Sequence, residues 1–284
     1  MRKLEEPTMK PARIINVHTH LHHNQDIEAR VRLWREWNVV KVCVQSVARR
    51  REDDPRTFCN DDLAKAVRKY PDIIVGFGRV DLGFKPDGPD AVDRLKDLGL
   101  TGLKFIAPSC NYDDERYFPL YERAERLGMP VLFHTGYLAV GFGDPAARIS
   151  SARMRPVYLD TIARACPKLR IVMAHLGNPE FHVGLNMIND FPNIWGEFSG
   201  ASGSKWRETT LRKVFAPLPG ANMADPEENQ ALRWFKKLCF ATDNPEPPIW
   251  AGLCQRVIVE LQLPEDLRER FWWRNAAEFL QLKL

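Results

Sequence analysis

The chain has 284 residues, carries 41 Lys and Arg against 37 Asp and Glu for a formal net charge of +4, and is 44% hydrophobic. Charges so nearly balanced and so interleaved leave no electrostatic footprint for nucleic acid or an anionic membrane, and no stretch approaches the roughly 20 apolar residues of a membrane-spanning helix. The six cysteines (Cys43, Cys59, Cys110, Cys166, Cys239 and Cys254) are scattered without Cys-x-x-Cys spacing, which argues against a disulfide framework and for reduced thiols in a cytoplasmic protein.

In chain order, eight short apolar runs can be read as strands, most of them followed by a helix-like segment. Ile14 to Val17 leads to an amphipathic stretch over Asp26–Trp37, and Val39 to Gln45 leads to Asn60–Tyr70. Between the last two, Arg49-Arg50-Arg51 is answered at once by Glu52-Asp53-Asp54, the pattern of a solvated loop face. Ile73 to Val80 precedes Pro89–Leu98, and Gly102 to Ile106 precedes Asp114–Leu127. Val131 to His134 is followed by a long loop, Gly136–Arg155, and then by Pro156–Cys166, with proline at a first helical position. Leu169 to His175 leads to Pro179–Asp190. Ile194 to Phe198 opens the longest connection, Ser199–Gln230, within which Lys205–Phe215 is helix-like. Leu238 to Asp243 precedes Trp250–Gln262 and a last helix over Pro264–Leu282. Runs that are apolar on both faces and alternate with helices predict one domain over residues 1–284, a closed (β/α)8 TIM barrel.

The ends of these runs carry the chemistry. In Val17-His18-Thr19-His20 the histidines are two apart, so in a strand they share a face, and two neutral imidazoles so placed can hold one divalent transition metal. Phe133-His134-Thr135-Gly136, Ala174-His175-Leu176-Gly177 and Ala241-Thr242-Asp243-Asn244-Pro245 each close a later run. A parallel barrel gathers all strand C-termini at one mouth, which makes distant residues neighbours.

The ordered set of His-x-His, Gly-Leu-Lys-Phe, Phe-His-Thr-Gly, Ala-His-Leu-Gly and Thr-Asp-Asn-Pro spans nearly the whole chain. It resembles the amidohydrolase superfamily, specifically the amidohydrolase-related group that includes aminocarboxymuconate-semialdehyde decarboxylase. The resemblance implies that His18, His20, His134 and Asp243 ligate one zinc ion, with His175 and Asp243 as catalytic acid/base groups. It implies a metal-dependent hydrolase acting on a small, carboxylate-bearing molecule, with non-oxidative decarboxylation on the same ligands as the alternative. Where family members often carry an acidic residue two positions before the first histidine, this chain has Asn16, a neutral amide able to orient an imidazole but not to supply a negative ligand.

Other positions have two readings. In related binuclear enzymes the lysine of strand four is carboxylated and bridges two metals; Lys104 stands there, and the competing reading is contact with a substrate carboxylate. Arg148, Arg153 and Arg155 suit an acidic substrate through bidentate pairing, Trp206 lies in a prospective lid, and Glu197 and Ser199 end strand seven facing the pocket. His22 and His23 read as solvated loop residues, His182 as structural, and Trp34, Trp37, Trp272 and Trp273 as packing. A metal-dependent nuclease of the same superfamily is disfavoured: the third and fourth strands lack its usual glutamate and the charge is weak. A metal-binding barrel without turnover is the non-enzymatic reading. The partner expected is a small-molecule substrate; a homodimer is compatible with the chain, but no feature demands one.

Overall fold

Seven of the eight apolar runs form regular strands: β1 (Ile14–His20), β2 (Val39–Gln45), β3 (Ile74–Arg79), β4 (Gly102–Phe105), β5 (Val131–His134), β6 (Ile171–Ala174) and β7 (Ile194–Gly196). The computed structural model describes residues 10–47, 57–83, 85–139, 148–200, 208–217, 219–244 and 246–283. All seven strands are parallel and pair in sequence order from β1 to β7. The charged loop 49–54, Trp206 and part of the Gly136–Arg155 connection lie outside the described residues.

The eighth run closes the ring differently from expectation. The Leu238–Asp243 segment forms isolated parallel bridges, Leu238 to Gly196 on one side and Asp243 to Thr19 on the other. Backbone bonds from Cys239 N to Gly196 O (2.8 Å), Val17 N to Phe240 O (3.1 Å) and Thr242 N to His18 O (3.1 Å) join it to β7 and β1. A regular ladder does not form there because side chains take part of it: Asn16 Oδ1 also accepts from Thr242 N, and Asp243 turns into left-handed backbone at φ 60°.

Helices α1 (Ile27–Glu36), α2 (Asn60–Lys69), α3 (Pro89–Asp97), α4 (Phe118–Arg126), α5 (Leu159–Ala165) and α6 (Phe181–Asp190) follow the first six strands. Asp26 caps α1 by accepting from Ala29 N at 3.0 Å, with Glu28 in the first turn and Arg35 in the last, complementing the helix dipole. The long connection after β7 holds α7 (Glu208–Phe215) and α8 (Ala231–Trp234), and α9 (Pro247–Glu260) follows the eighth segment. The predicted last helix is interrupted: α10 (Glu265–Glu269) widens into a π-type stretch at Arg270–Arg274 before α11 (Asn275–Leu280). Among the described residues no helix is long and apolar enough to cross a membrane.

Two apolar clusters result. The larger fills the space between strands and helices. The smaller fills the barrel lumen with Ile15, Val17, Cys43, Phe77, Leu132, Val172, Ala174 and Trp195, and it includes Ala276, Ala277, Phe279 and Leu280 from α11. Phe279 stacks on Phe77 (ring centroids 6.2 Å apart) and meets Trp195 (5.8 Å), so α11 plugs the end of the barrel away from the strand C-termini.

Candidate metal centre

Strand parity decides which side chains face the mouth. Leu132, Val172, Trp195, Cys239 and Ala241 lie in the lumen, and alternation carries His134, Glu197 and Asp243 to the same side. Lys104 follows the same rule, since its neighbours Leu103 and Phe105 belong to the outer cluster. His18 and His175 break it. The β1–β2 register slips by one residue between Asn16 and Thr19, a bulge that puts consecutive Val17 and His18 on one side. His175 follows inward-facing Ala174 and reaches the lumen because its backbone is left-handed, φ 63°. Left-handed backbone at His175 and Asp243 costs of order 1 kcal/mol each and is tolerated where the surroundings enforce it.

The imidazoles and carboxylates meet in a compact cluster. His18 Nε2 is 3.3 Å from His20 Nε2 and 3.7 Å from Asp243 Oδ1, and His20 Nε2 is 3.4 Å from Asp243 Oδ1. Burial works against the Asp243 carboxylate, yet the surrounding His20, His18 and His175 hold its carboxyl well below the ordinary range. Below this trio, His18 Nδ1 donates to Glu197 Oε1 at 2.7 Å, and the other Glu197 oxygen accepts from Ser199 N. Burial pushes the Glu197 carboxyl up, opposed by His175 and by the Ser199 amide. His175 Nδ1 donates to the Ser199 carbonyl at 3.0 Å, and His20 Nδ1 to the Gln45 carbonyl at 3.1 Å.

With Nδ1 of His18, His20 and His175 each committed as a donor, the lone pair of each neutral ring lies on Nε2. That arrangement tests the fit of a metal. Ligands about 2.0–2.1 Å from a tetrahedral zinc stand about 3.3 Å from one another, close to the three separations of the His18, His20 and Asp243 trio. A second grouping, His18, His175 and Glu197, is also within ligand range of itself, but His18 Nδ1 donates to the carboxylate and His175 Nδ1 to the Ser199 carbonyl, so the grouping serves as hydrogen-bonded support. The trio fits a divalent transition metal, and nitrogen-rich donors favour such ions over Mg2+ or Ca2+.

The remaining predicted residues fall around this cluster. Lys104 Nζ, 1% exposed, is 3.3 Å from His18 Nε2. The His134 ring packs edge-on against His175 (centroids 4.8 Å apart) and its Nε2 lies 3.3 Å from the Tyr137 carbonyl, so this predicted ligand stands outside the trio's grouping. Glu197 sits fully buried beneath His18, and Arg153 Nη1 donates to the carbonyls of Pro108 and Arg148, bracing the loop after β5. Arg148 is exposed, and Arg155 pairs with Glu180. The Asn16 amide serves backbone and a hydroxyl: it accepts from His18 backbone N at 3.2 Å and donates to Thr242 Oγ1 at 2.9 Å.

Sequence reasoning passed over Gln45, Thr135 and Arg30. Thr135 Oγ1 accepts from Gly177 N and donates to the Ala174 carbonyl, joining the exits of β5 and β6. Arg30, on α1, donates to the His20 carbonyl at 3.0 Å and pairs with Glu246 at 3.2 Å, joining the two segments that carry the trio. A polar residue ending an apolar run is the one signal that pointed to Gln45.

Solved structures with the same architecture cover nearly the whole chain. An uncharacterized TIM-barrel protein from Bordetella bronchiseptica is 18% identical over 90% of this chain and 83% of its own, with a TM-score of 0.61. A probable 2-pyrone-4,6-dicarboxylic acid hydrolase from Acinetobacter baumannii, with citric acid bound, is 14% identical over 96% of this chain and 100% of its own (TM-score 0.61). A 2,6-dihydroxybenzoate decarboxylase from Rhizobium is 18% identical over 96% of this chain and 99% of its own (TM-score 0.60). At these identities the likeness establishes the barrel and no more. The sequence itself goes further: the model of the family described as Amidohydrolase matches residues 15–282, and so the chain that gathers these histidines and Asp243 at one barrel mouth belongs to the amidohydrolase family.

Proposed function

We propose that this protein is a zinc-dependent hydrolase acting on a small carboxylate-bearing lactone or amide. The observation that carries the reading is the convergence of His18 Nε2, His20 Nε2 and Asp243 Oδ1 within 3.7 Å of one another beside a buried lysine. His18, His20 and Asp243 would hold the ion, with His134 as a fourth ligand. When bound, zinc polarises a substrate oxygen and lowers the pKa of water towards about 7.

The chain's own groups supply the rest. His175, held by the Ser199 carbonyl with its Nε2 lone pair turned away, accepts or returns a proton at Nε2. Asp243 stays ionised, and its carboxylate can orient water by accepting a hydrogen bond. Lys104 sits deep at the same cluster, where an ammonium group pairs well with a substrate carboxylate. Glu197 keeps the His18 ring and tautomer in place.

Decarboxylation on the same site is the second reading, favoured by the decarboxylases among the structural neighbours and by the same buried lysine, which suits any substrate carboxylate. Elemental analysis of protein purified without chelator, followed by a panel of cyclic esters, amides and aromatic carboxylic acids, tests both. About one equivalent of zinc with ring opening or amide cleavage is the expected result. Carbon dioxide release without a hydrolytic product moves the assignment to decarboxylation, and protein that neither carries nor takes up metal overturns the metalloenzyme reading.

A further inference from the structure

The β1 bulge turns Val17 and His18 to the same side and thereby takes backbone groups out of the β1–β2 ladder. Buried backbone groups without partners are costly, and here Val17 O, His18 N and Thr19 N are each met by a side-chain amide. Gln45, the last residue of β2 and fully buried, donates from Nε2 to the Val17 carbonyl at 3.1 Å and accepts at Oε1 from Thr19 N at 3.0 Å. Its backbone carbonyl accepts from His20 Nδ1 at 3.1 Å. Asn16, also fully buried, accepts from His18 N and Thr242 N, both at 3.2 Å, and donates to Thr242 Oγ1 at 2.9 Å.

We infer that Gln45, seconded by Asn16, is a positioning residue for the metal centre: the two amides replace the ladder bonds that the bulge omits, and the bulge turns both imidazoles into the barrel mouth. The residue type follows from the partners. Gln45 must donate to a carbonyl and accept from an N–H at once, which an amide does and a carboxylate does not. Asn16 likewise accepts on one atom and donates on the other. This explains an amide where an acidic residue was expected: at position 16 the side chain serves the backbone of β1 and the eighth segment.

The effect on metal binding rests on the proposed metal reading, whereas the ring geometry is measurable without metal. In metal-free protein with 15N-labelled histidine, the hydrogen-bonded Nδ1–H signals of His18 and His20 are expected in the wild type, assigned by their loss in His18→Gln and His20→Gln. Gln45→Met keeps the volume and removes both amide bonds. It is expected to lose or shift the His20 signal, to weaken Co2+ binding at least about tenfold, and to change the visible Co2+ spectrum. Cys43→Ala, one layer deeper on β2, is expected to leave the ring signals unchanged. Asn16→Ala carries the same measurements on the His18 signal should Gln45→Met fail to fold. Wild-type ring signals and Co2+ spectrum in either folded variant would overturn the inference. A wild type that takes up no Co2+ overturns the metal reading alone, and the imidazole signals then decide the positioning role.

Discussion

Nδ1 of His18 lies 2.7 Å from Oε1 of Glu197, and neither side chain is more than 1% exposed. A buried carboxylate under an imidazole fixes both the ring orientation and the tautomer, leaving the lone pair on Nε2. Glu197→Gln retains an acceptor and the volume but removes the charge. Zinc affinity, measured by competition with a chromophoric chelator, is expected to fall about 10- to 100-fold with the fold intact; unchanged affinity would show that Glu197 does not support the ligand.

Asp243 is the trio's only carboxylate and stands in left-handed backbone at φ 60°. Asparagine tolerates that conformation as aspartate does, so Asp243→Asn isolates the charge. Bound metal is expected to drop from about one equivalent to below about a tenth, with Tm within about 3 °C of the metal-free wild type. His134→Ala is expected to lower occupancy less, because His134 Nε2 lies against the Tyr137 carbonyl. Equal losses in the two variants would place His134 on a par with the trio.

Gly136 follows the His134 segment at φ 84°, and a Cβ there would lie 2.2 Å from the Asn178 carbonyl oxygen, which backbone cannot yield cheaply. Its own N–H donates to Met154 O at 2.9 Å. Gly136→Ala is expected to cost more than about 2 kcal/mol and to lower Tm by more than about 5 °C. A thermal melt within a degree of wild type would contradict the close approach of the β5 and β6 exit loops.

Arg30 is 8% exposed and its Nη1 donates to both the His20 carbonyl and Gln25 Oε1. Arg30→Met leaves Glu246 without its cation and removes a donor from the His20 carbonyl and from Gln25 Oε1, which keeps its bond from His22 N. It is expected to lose about 2 kcal/mol of stability, with Arg30→Lys recovering only part because one ammonium cannot span the same partners. Denaturant unfolding of the metal-free variants measures this; full recovery by lysine would show that charge alone matters.

On the barrel exterior, hydrogen bonds from Arg123 hold the Asp93 carboxyl below its ordinary range, joining α4 to α3. A depressed carboxyl stabilises the fold above its unfolded value, and that contribution is lost as pH falls through the folded value. Asp93→Asn is therefore expected to flatten the decline of Tm below about pH 4 while changing the slope near neutrality little. Parallel acid-side profiles would remove Asp93 from the acid transition.

Much of this molecule can be read from the chain because its signals are local. Seven apolar runs became parallel strands in order, since short, doubly apolar segments can be buried only in a sheet covered on both faces. The same reasoning fails where side chains replace the backbone ladder, as at Leu238–Asp243, and where a helix changes its winding, as at Arg270–Arg274. Neither event has a signature in hydrophobic periodicity.

The site divides in the same way. That His18 and His20 share a face follows from their spacing, because side chains in a strand repeat every two residues. Which face they share does not follow: unbroken alternation from Ile15 and Val17 turns both histidines outward, and one extra residue in the β1 register turns them in. A bulge is a pairing event between two strands, paid for by Gln45 from the neighbouring one, so no window of β1 alone contains it. His175 reaches the lumen through its backbone conformation, and Glu197 finds its role only by lying under a histidine 179 positions away. The sequence by itself determined which residue types stand at the strand ends; the closed barrel, by bringing those ends within bonding distance, decided which of them act together.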